Sequence, residues 1–177
     1  MKKIFLIIAA VLAVVLVTVF AFQGVQNGAI RLEESIENTS GNIRVEEKRR
    51  FDLIPNLIET VKAYDEHEYN TLVELTKARG MNSGTADEVK MMINAVAEAY
   101  PELKSQKNYQ DLMNELAITE NKIAEIRKLY NKNVTKYRQF VRQFPNKQVL
   151  NMTGYEFKEY ERLDFENNSV DAPKVSF

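Results

Sequence analysis

Several residue types on which catalytic and structural sites depend are absent or scarce in this sequence. It has no cysteine, no tryptophan and a single histidine, His67. The lack of cysteine excludes disulfides, thiolate nucleophiles, CxxC redox motifs and thiolate zinc sites. With one histidine, a metal site would need carboxylates alone, and the two Glu-x-x-His motifs of di-iron bundles are impossible. We therefore expect no cofactor and no metal.

Glycine and proline are also scarce, and neither sign of charge dominates. The 177 residues include 6 Gly and 4 Pro, a composition that favours long helices over a turn-rich β-sandwich. A net charge of −1 argues against a nucleic-acid partner. The sequence has no GxGxxG, phosphate-loop or GxSxG motif, and His67-Glu68 lacks the second histidine of the HExxH motif. These absences predict an all-α protein that is not an enzyme.

The N-terminus carries a long hydrophobic run. Lys2 and Lys3 precede an uncharged stretch from Ile4 to Phe22, whose only polar side chain is Thr18. As a helix this stretch would span about 28 Å, close to the roughly 30 Å of a bilayer's hydrocarbon core. We therefore predict a transmembrane anchor over residues 1–22, with residues 4–22 in contact with the membrane. The alternative is a cleaved signal peptide, although the run is longer than the apolar region of such peptides.

The charges that flank the anchor predict its orientation. Lys2, Lys3 and the free amine precede it, whereas Arg31 is the only basic residue from Gln23 to Asn42. Because basic residues favour the cytoplasmic side, we expect a single-pass protein of the cell membrane whose soluble part is extracytoplasmic.

Beyond the anchor, apolar residues recur at helical spacing. The first soluble helix is predicted from Val25 to Arg50, with 4-3-4-3 spacing of its apolar face. Pro55 has no N–H for the carbonyl four residues earlier, so a kink or a new helix start is expected there, with Asp52 as the candidate cap. The following helix is predicted to end near Gly80.

Two further helices complete the predicted bundle. Thr85 begins a Thr-x-x-Glu sequence typical of a capping box, and the short helix after it should end before Pro101. The last helix keeps a coiled-coil-like 3-4 alternation for about five heptads from Tyr109 to Phe144, and Pro145 stops it. The sequence thus predicts an N-terminal transmembrane helix followed by an antiparallel bundle of long helices over residues 23–145. Residues 146–177 are predicted to form a C-terminal segment with a partly extended tail.

Charged and amide side chains occupy positions on or beside the apolar stripes. Projection at 100° per residue puts Asp65, Glu68 and Arg79 on the stripe of the second helix, with His67 to its side. A carboxylate on a buried face needs a partner, and we expect Glu68 to pair with Arg49, Arg50 or Arg127. The residues that form the candidate network or partner contact are Arg49, Arg50, Asp52, Asn56, Asp65, Glu68, Arg79, Glu120, Arg127 and Asn131.

These residues allow two interpretations of function. In the first, they set the register between helices, and the chain is a membrane-anchored interaction or scaffold module that binds an unidentified envelope protein. In the second, Asp65, His67, Glu68 and Arg79 form the site of a membrane-associated sensor or hydrolase. A solvent-open pocket around those four side chains would favour the second, and a sealed ion-pair network would favour the first.

Several sequence segments resemble the signature of the LemA family. They are KRRFDLIPNLIETVKAY at 48–64, YPEL at 100–103, TENKI at 119–123 and PKVSF at 173–177. The resemblance extends over nearly the whole chain after the anchor. Two positions depart from the family pattern: the family's tryptophan column falls at about Ser40, and Arg138 stands where the family has asparagine.

The resemblance implies a membrane helix joined to an antiparallel helical bundle, without an established activity. It also implies a topology with the soluble domain in the cytoplasm, which is opposite to the orientation that the flanking charges predict. Both orientations therefore remain open at this stage.

Overall fold

The computed structural model describes residues 2–80 and 82–163, and this part of the chain contains helices and no strand. The six helices are α1 Lys2–Val61, α2 Glu66–Arg79, α3 Ser83–Ala99, α4 Pro101–Ser105, α5 Lys107–Arg142 and α6 Asn146–Met152. The all-α class is confirmed. The predicted extended tail lies outside the described residues.

The chain divides into two compact units, and α1 and α5 contribute residues to both. Unit 1 comprises Met1–Thr39 and Lys128–Phe177, and unit 2 comprises Ser40–Arg127. In each unit, higher-numbered residues of α1 contact lower-numbered residues of α5. The two helices are therefore antiparallel within each unit, as the predicted bundle requires.

Unit 2 has an apolar core built from four helices and the C-terminal part of α1. The fully buried side chains include Ile54 and Leu57 of α1, Leu72 of α2, Ile93 of α3 and Leu116 of α5. Burial of each such side chain stabilises the fold by about 1.5–3 kcal/mol relative to exposure. Because these residues come from segments far apart in sequence, the core fixes the positions of all the helices it joins.

Unit 1 has a second core, in which α1 and α5 pack closely. Ala29 and Ile36 of α1 are buried with Val134 and Tyr137 of α5 and Leu150 of α6. Glycine at position 28 permits the close approach, since an added Cβ would lie 2.6 Å from Cζ of Phe140. In the same unit the Asn133 amide donates to Thr39 Oγ1 over 3.0 Å.

Of the two outcomes predicted at Pro55, a new helix start is wrong, and a kink stays a prediction. Pro55 lies inside α1, which continues to Val61, and Asp52 is an exposed residue within the helix rather than a cap. Proline costs a helix interior about 3 kcal/mol. Here Ile54 and Leu57, which flank the proline, are fully buried, so core packing on both sides of Pro55 maintains the helix.

The chain leaves the helical conformation at 62–65 instead, and Asp65 begins α2. Its carboxylate accepts a 3.0 Å hydrogen bond from the Glu68 backbone N–H, which is the geometry of an N-cap. The helix ends at Arg79 and Gly80 follows at φ +68°, a value that favours glycine. The predicted end near Gly80 is confirmed.

The capping box predicted at Thr85 is also wrong. Asn82 is the cap of α3, and its side-chain oxygen accepts a 3.0 Å hydrogen bond from the Thr85 N–H. Thr85 itself lies in the first turn and is buried, while Glu88 forms an ion pair with Arg79. Asparagine caps helices as well as threonine does. Helix α3 therefore begins after Asn82, three residues before Thr85.

The ends of α3 and α5 agree with the sequence prediction, but two short helices were not predicted. Helix α3 ends at Ala99, before Pro101, and α5 ends at Arg142, before Pro145. Pro101 and Asn146 are the first residues of α4 and α6. Proline is well tolerated at a helix start because its missing N–H has no intrahelical partner there.

Candidate functional site

An arginine on the inner face of α1 lies at the centre of an ion-pair network in unit 2. The Arg50 side chain is only 8% exposed, and its guanidinium pairs with Asp87 of α3 and, at 3.2 Å, with Glu120 of α5. The opposite oxygen of Glu120 is 2.5 Å from Lys90 Nζ. Arg50 therefore connects three helices, and its delocalised charge and fixed fork of donors suit this role.

Three more ion pairs join α1 to α5 beside this centre. Glu46 pairs with Lys122 at 2.5 Å, Glu47 pairs with Arg127 at 2.8 Å, and Arg49 pairs with Glu115. The Glu46 side chain is 9% exposed, whereas that of Arg49 is 53% exposed. The network thus runs from a buried centre to an open rim, and only its inner members are shielded from water.

Two atoms at the buried centre have no hydrogen-bond partner in the described part of the chain. They are Nε of Arg50 and Oε2 of Glu46. Both residues lie on the inner face of α1, four positions apart, where one helical turn brings side chains together. Unsatisfied buried polar atoms lower the stability of a fold, so these two atoms offset part of the stabilisation that the ion pairs provide.

The four residues of the alternative site do not converge. The Asp65 carboxylate caps the backbone of α2, and His67 next to it is exposed. Arg79 is the last residue of that helix, about 20 Å along its axis from the cap, and its side chain is 59% exposed. Arg79 was predicted on the buried stripe, and that prediction is wrong.

The expected partners of Glu68 are engaged elsewhere. Arg49 pairs with Glu115, Arg50 pairs with Asp87 and Glu120, and Arg127 pairs with Glu47. The prediction that Glu68 pairs with one of these arginines is therefore wrong. A half-buried carboxylate at the start of a helix retains contact with water and benefits from the helix dipole, so Glu68 needs no cationic partner.

The remaining candidates lie apart from the network. Asp52 and Asn56 are exposed on α1, and the Asn56 amide donates to the Asp52 carbonyl over 3.4 Å. Asn131 belongs to unit 1, where its side chain both donates to and accepts from the backbone of Leu163 at 2.8 Å. Asn131 therefore fixes the end of the described chain against α5.

Unit 1 contains a second polar cluster that the sequence analysis missed. Oε1 of Glu33 accepts hydrogen bonds from the hydroxyls of Tyr137 and Tyr155, and Oε2 lies 3.3 Å from Lys158 Nζ. The Tyr137 hydroxyl also accepts a 3.1 Å bond from the Lys158 backbone N–H. A signal was present, because Glu33 lies between Ala29 and Ile36 at the spacing of the apolar stripe.

Burial and neighbouring charge shift three pKa values in this cluster. Burial, with hydrogen bonds to Glu33 and Tyr137, raises the pKa of Tyr155 far above its usual value. Burial is also the main cause that raises the pKa of Tyr160 to about 12. Hydrogen bonds to Glu37 and Glu33 raise the pKa of Lys158. The fold therefore keeps the two tyrosine protons and the lysine charge to higher pH than the unfolded chain does.

Comparisons with known proteins give this architecture a family. The chain is 24% identical, over 170 aligned residues, to "Protein LemA" of Metamycoplasma hominis. The alignment covers 85% of this chain and 78% of that protein. The family model named LemA matches residues 39–177, well over half of the chain. This range includes all of α2–α6, with their ion-pair network and the Asn131 contact. The chain belongs to the LemA family.

Proposed function

We propose that this protein is a membrane-anchored, non-enzymatic helical bundle that serves as an interaction or scaffold module of a bacterial-type cell envelope. The observation that carries the proposal is the continuity of α1. One helix includes the apolar run 4–22, the inner face of unit 1 and the arginine centre of unit 2. An anchor continuous with the bundle joins the soluble part to the membrane through a helix rather than through a flexible linker.

The exposure of the apolar run supports a membrane span. An 18-residue window of α1 has a mean hydropathy of 3.2, and none of it is buried within the chain. A core helix of a soluble protein would be covered by its neighbours. An exposed apolar surface of this length needs a partner such as lipid. The packing of α1 in unit 1 begins at Val25, three residues beyond the run.

The assignment of the charged side chains supports a role other than catalysis. Arg50, Glu120 and Arg127 pair between helices, Asp65 caps a helix, and Asn131 holds backbone. Among the described residues, no group of three His, Asp or Glu side chains is arranged to hold a metal ion. These five residues therefore have structural roles, while Asp52, Asn56 and His67 lie on the exposed surface, where a partner could bind.

Membrane fractionation tests the anchor. The full chain should remain in the membrane pellet after extraction with alkaline carbonate. The double substitution Leu12→Arg and Val15→Arg should release it, because each central arginine costs about 2.5–3.5 kcal/mol of insertion free energy. Val45→Arg is the matched control, since Val45 is also an exposed apolar residue of α1, at 65%, and lies in unit 2, outside the apolar run. Release of the unsubstituted chain by carbonate would contradict the proposal.

We further propose that the soluble part is extracytoplasmic, as the bias of Lys2 and Lys3 over Arg31 predicts. The chain has no cysteine, so Ala117→Cys on the exposed face of α5 introduces a unique thiol. An impermeant thiol reagent should label it in intact cells, after any outer membrane has been opened. Labelling only after lysis would place the soluble part in the cytoplasm, the orientation that the resemblance implies.

Photo-crosslinking in intact membranes tests the interaction role. Three exposed apolar residues of unit 2, Val45, Met91 and Ile118, are suitable positions for a photoreactive amino acid. A discrete protein adduct, shared by at least two positions and absent from the exposed polar position Asn114, is the expected result. Adducts to lipid alone at all three positions would contradict a protein partner.

A further inference from the structure

The end of α5 that lies beside the membrane anchor is basic. The segment from Lys128 to Tyr155 contains no Asp or Glu. The six basic residues of this segment are Lys128, Lys132, Lys136, Arg138, Arg142 and Lys147. All six belong to unit 1, which also contains residues 1–39 of α1. A long basic segment within a nearly neutral chain indicates an anionic partner.

Contacts between α1 and α5 show how near this segment comes to the apolar run. Phe140 packs against Gly28, which lies about 9 Å beyond Phe22 along the helix axis. Because α5 is antiparallel to α1, Arg142 is about 3 Å closer to the run than Phe140 is. The headgroup layer of a bilayer is roughly 5–8 Å thick on each side. The end of α5 therefore falls at the depth of the headgroups when residues 4–22 span the membrane.

The turn after α5 combines an apolar tip with basic neighbours. We name residues 142–147 the basic corner. Phe144 is 82% exposed in this turn, and Arg142 and Lys147 have no ion pair among the described residues. Aromatic side chains at a membrane interface insert their rings, and flanking cations bind lipid phosphates.

A cleft beside the basic corner is lined by further charged side chains. It has a volume of about 480 Å³, and its lining includes Arg138, Arg142, Lys147 and Lys158 together with Glu159 and Glu161. Lys158 is paired with Glu33 and Glu37, and Arg138 donates to the Tyr160 carbonyl. Arg142 and Lys147 are thus the cations of this cleft that remain available to an external anion.

We propose that the basic corner binds an anionic phospholipid surface, with Phe144 inserted among the headgroups and Arg142 and Lys147 on lipid phosphates. This inference rests on the proposed membrane anchor, because the anchor sets the depth of α5. The acidic residues Glu33, Glu34 and Glu37 lie farther from the apolar run, at least about 16 Å beyond Phe22, and Glu159 and Glu161 are the carboxylates that share the cleft with Arg142 and Lys147. Docking of the corner holds unit 1 at a fixed tilt to the membrane.

The absence of tryptophan from the chain provides a direct test. Phe144→Trp introduces a unique fluorophore at the corner, and Leu129→Trp is the matched control, also in unit 1 and 48% exposed. Each full-length variant is reconstituted into vesicles of phosphatidylcholine, with or without phosphatidylglycerol, that contain brominated lipid as a quencher. The expected result is quenching of Phe144→Trp but not of Leu129→Trp, and stronger quenching with phosphatidylglycerol.

Removal of the two cations separates the effect of their charge on the quenching from the effect of the distance between Trp and the lipid. Arg142→Gln with Lys147→Gln, in the Phe144→Trp background, should abolish the increase that phosphatidylglycerol produces. Equal quenching at both tryptophans, or none at Phe144→Trp in chains that float with the vesicles, would overturn the proposal while the anchor stands. Chains that fail to float would instead contradict the anchor.

Inorganic phosphate, titrated at constant ionic strength, should leave the emission of Phe144→Trp in detergent unchanged. A saturable change in this emission would show that the basic corner binds a soluble anion, and it would overturn the lipid proposal.

Discussion

The phenolic hydroxyl of Tyr137 lies 3.2 Å from Oε1 of Glu33, and this hydrogen bond joins residues that are 104 positions apart in the sequence. Both side chains are buried, at 2% and 8% exposure. A carboxylate at such a position is tolerated because two hydroxyls and Lys158 Nζ contact it. The contact fixes α1 and α5 in register within unit 1.

The Tyr155 hydroxyl, the second donor to Glu33, predicts a loss of stability at alkaline pH. Its folded-state pKa is raised, so the stability that depends on its proton is fully present below about pH 10, the unfolded value, and is lost as pH rises above it. The raised pKa values of Tyr160 and Lys158 act in the same direction. Tyr155→Phe should lose about 1 kcal/mol at pH 8 and decline less steeply between pH 10 and 12.

Thermal unfolding of the full chain in detergent, followed by circular dichroism from pH 8 to 12, measures both effects. Lys158→Met serves as the comparison, since it removes the cation and leaves both tyrosine hydroxyls in place. An identical alkaline slope in Tyr155→Phe and the parent would show that the hydroxyl is not the group that titrates.

Arg50 should contribute far more to the stability of unit 2 than Arg79 does. Arg50→Ala removes the buried cation that Asp87 and Glu120 share, although Glu120 keeps its pair with Lys90, and should cost about 1–3 kcal/mol. Arg79→Ala removes an exposed pair with Glu88 and should cost less than about 1 kcal/mol. Urea unfolding of both variants gives the comparison. Equal losses would mean that the depth of the arginine is irrelevant.

The contact between Gly28 and Phe140 predicts a steric effect that a second substitution relieves. Gly28→Ala puts a methyl group into the Phe140 ring and should destabilise unit 1 by about 1–3 kcal/mol. The double variant with Phe140→Leu should recover part of this loss. Gly24→Ala is the control, because nothing lies within 4 Å of its added Cβ, and it should stabilise the helix by about 0.5–1 kcal/mol. Strictly additive losses in a double-mutant cycle would contradict the steric explanation.

Asp65 caps α2 and Glu68 lies in its first turn, and the two residues should respond differently to truncation. Asp65→Ala removes the cap of α2 and should cost about 1 kcal/mol. Glu68→Ala removes a carboxylate that pairs with none of the expected arginines and should change stability by no more than about 0.5 kcal/mol. Denaturant midpoints at constant m-value measure both. A larger loss for Glu68→Ala would reveal a role in packing that the contacts do not explain.

The periodic features of the fold could be predicted from the sequence because they repeat. The stripe Ala29, Ile36, Ile43 and Arg50 on α1 is buried as its spacing predicts, and the start and end of α5 are within two residues of expectation. These features depend on local spacing alone. The coiled-coil pattern of α5 agrees with its length, although coiled-coil packing stays a prediction.

Features decided by distant contacts could not be predicted. Pro55 favours a break locally, but buried Ile54 and Leu57 on either side maintain the helix. Arg50 lies on the stripe of α1 and Glu120 beside the stripe of α5, but their direct pairing and the contact of Arg50 with Asp87 depend on how α1, α3 and α5 pack. The Glu33 cluster depends on Tyr155, in a segment without periodicity. Helix projections identify which side chains face inward, but they do not identify the partners that meet there.

Under the proposed anchoring of residues 4–22, the uninterrupted helix of α1 also fixes a rotational phase between the bilayer and the packed residues of unit 1. Each residue turns the helix by about 100° and advances it by 1.5 Å. One alanine inserted after Gln23 would therefore turn unit 1 by about 100° about the axis of α1, whereas seven inserted residues would nearly restore the original azimuth and raise unit 1 by about 10 Å. The side of unit 1 that this anchoring would turn toward the membrane is thus set by the number of residues between the apolar run and Val25, as well as by their chemistry.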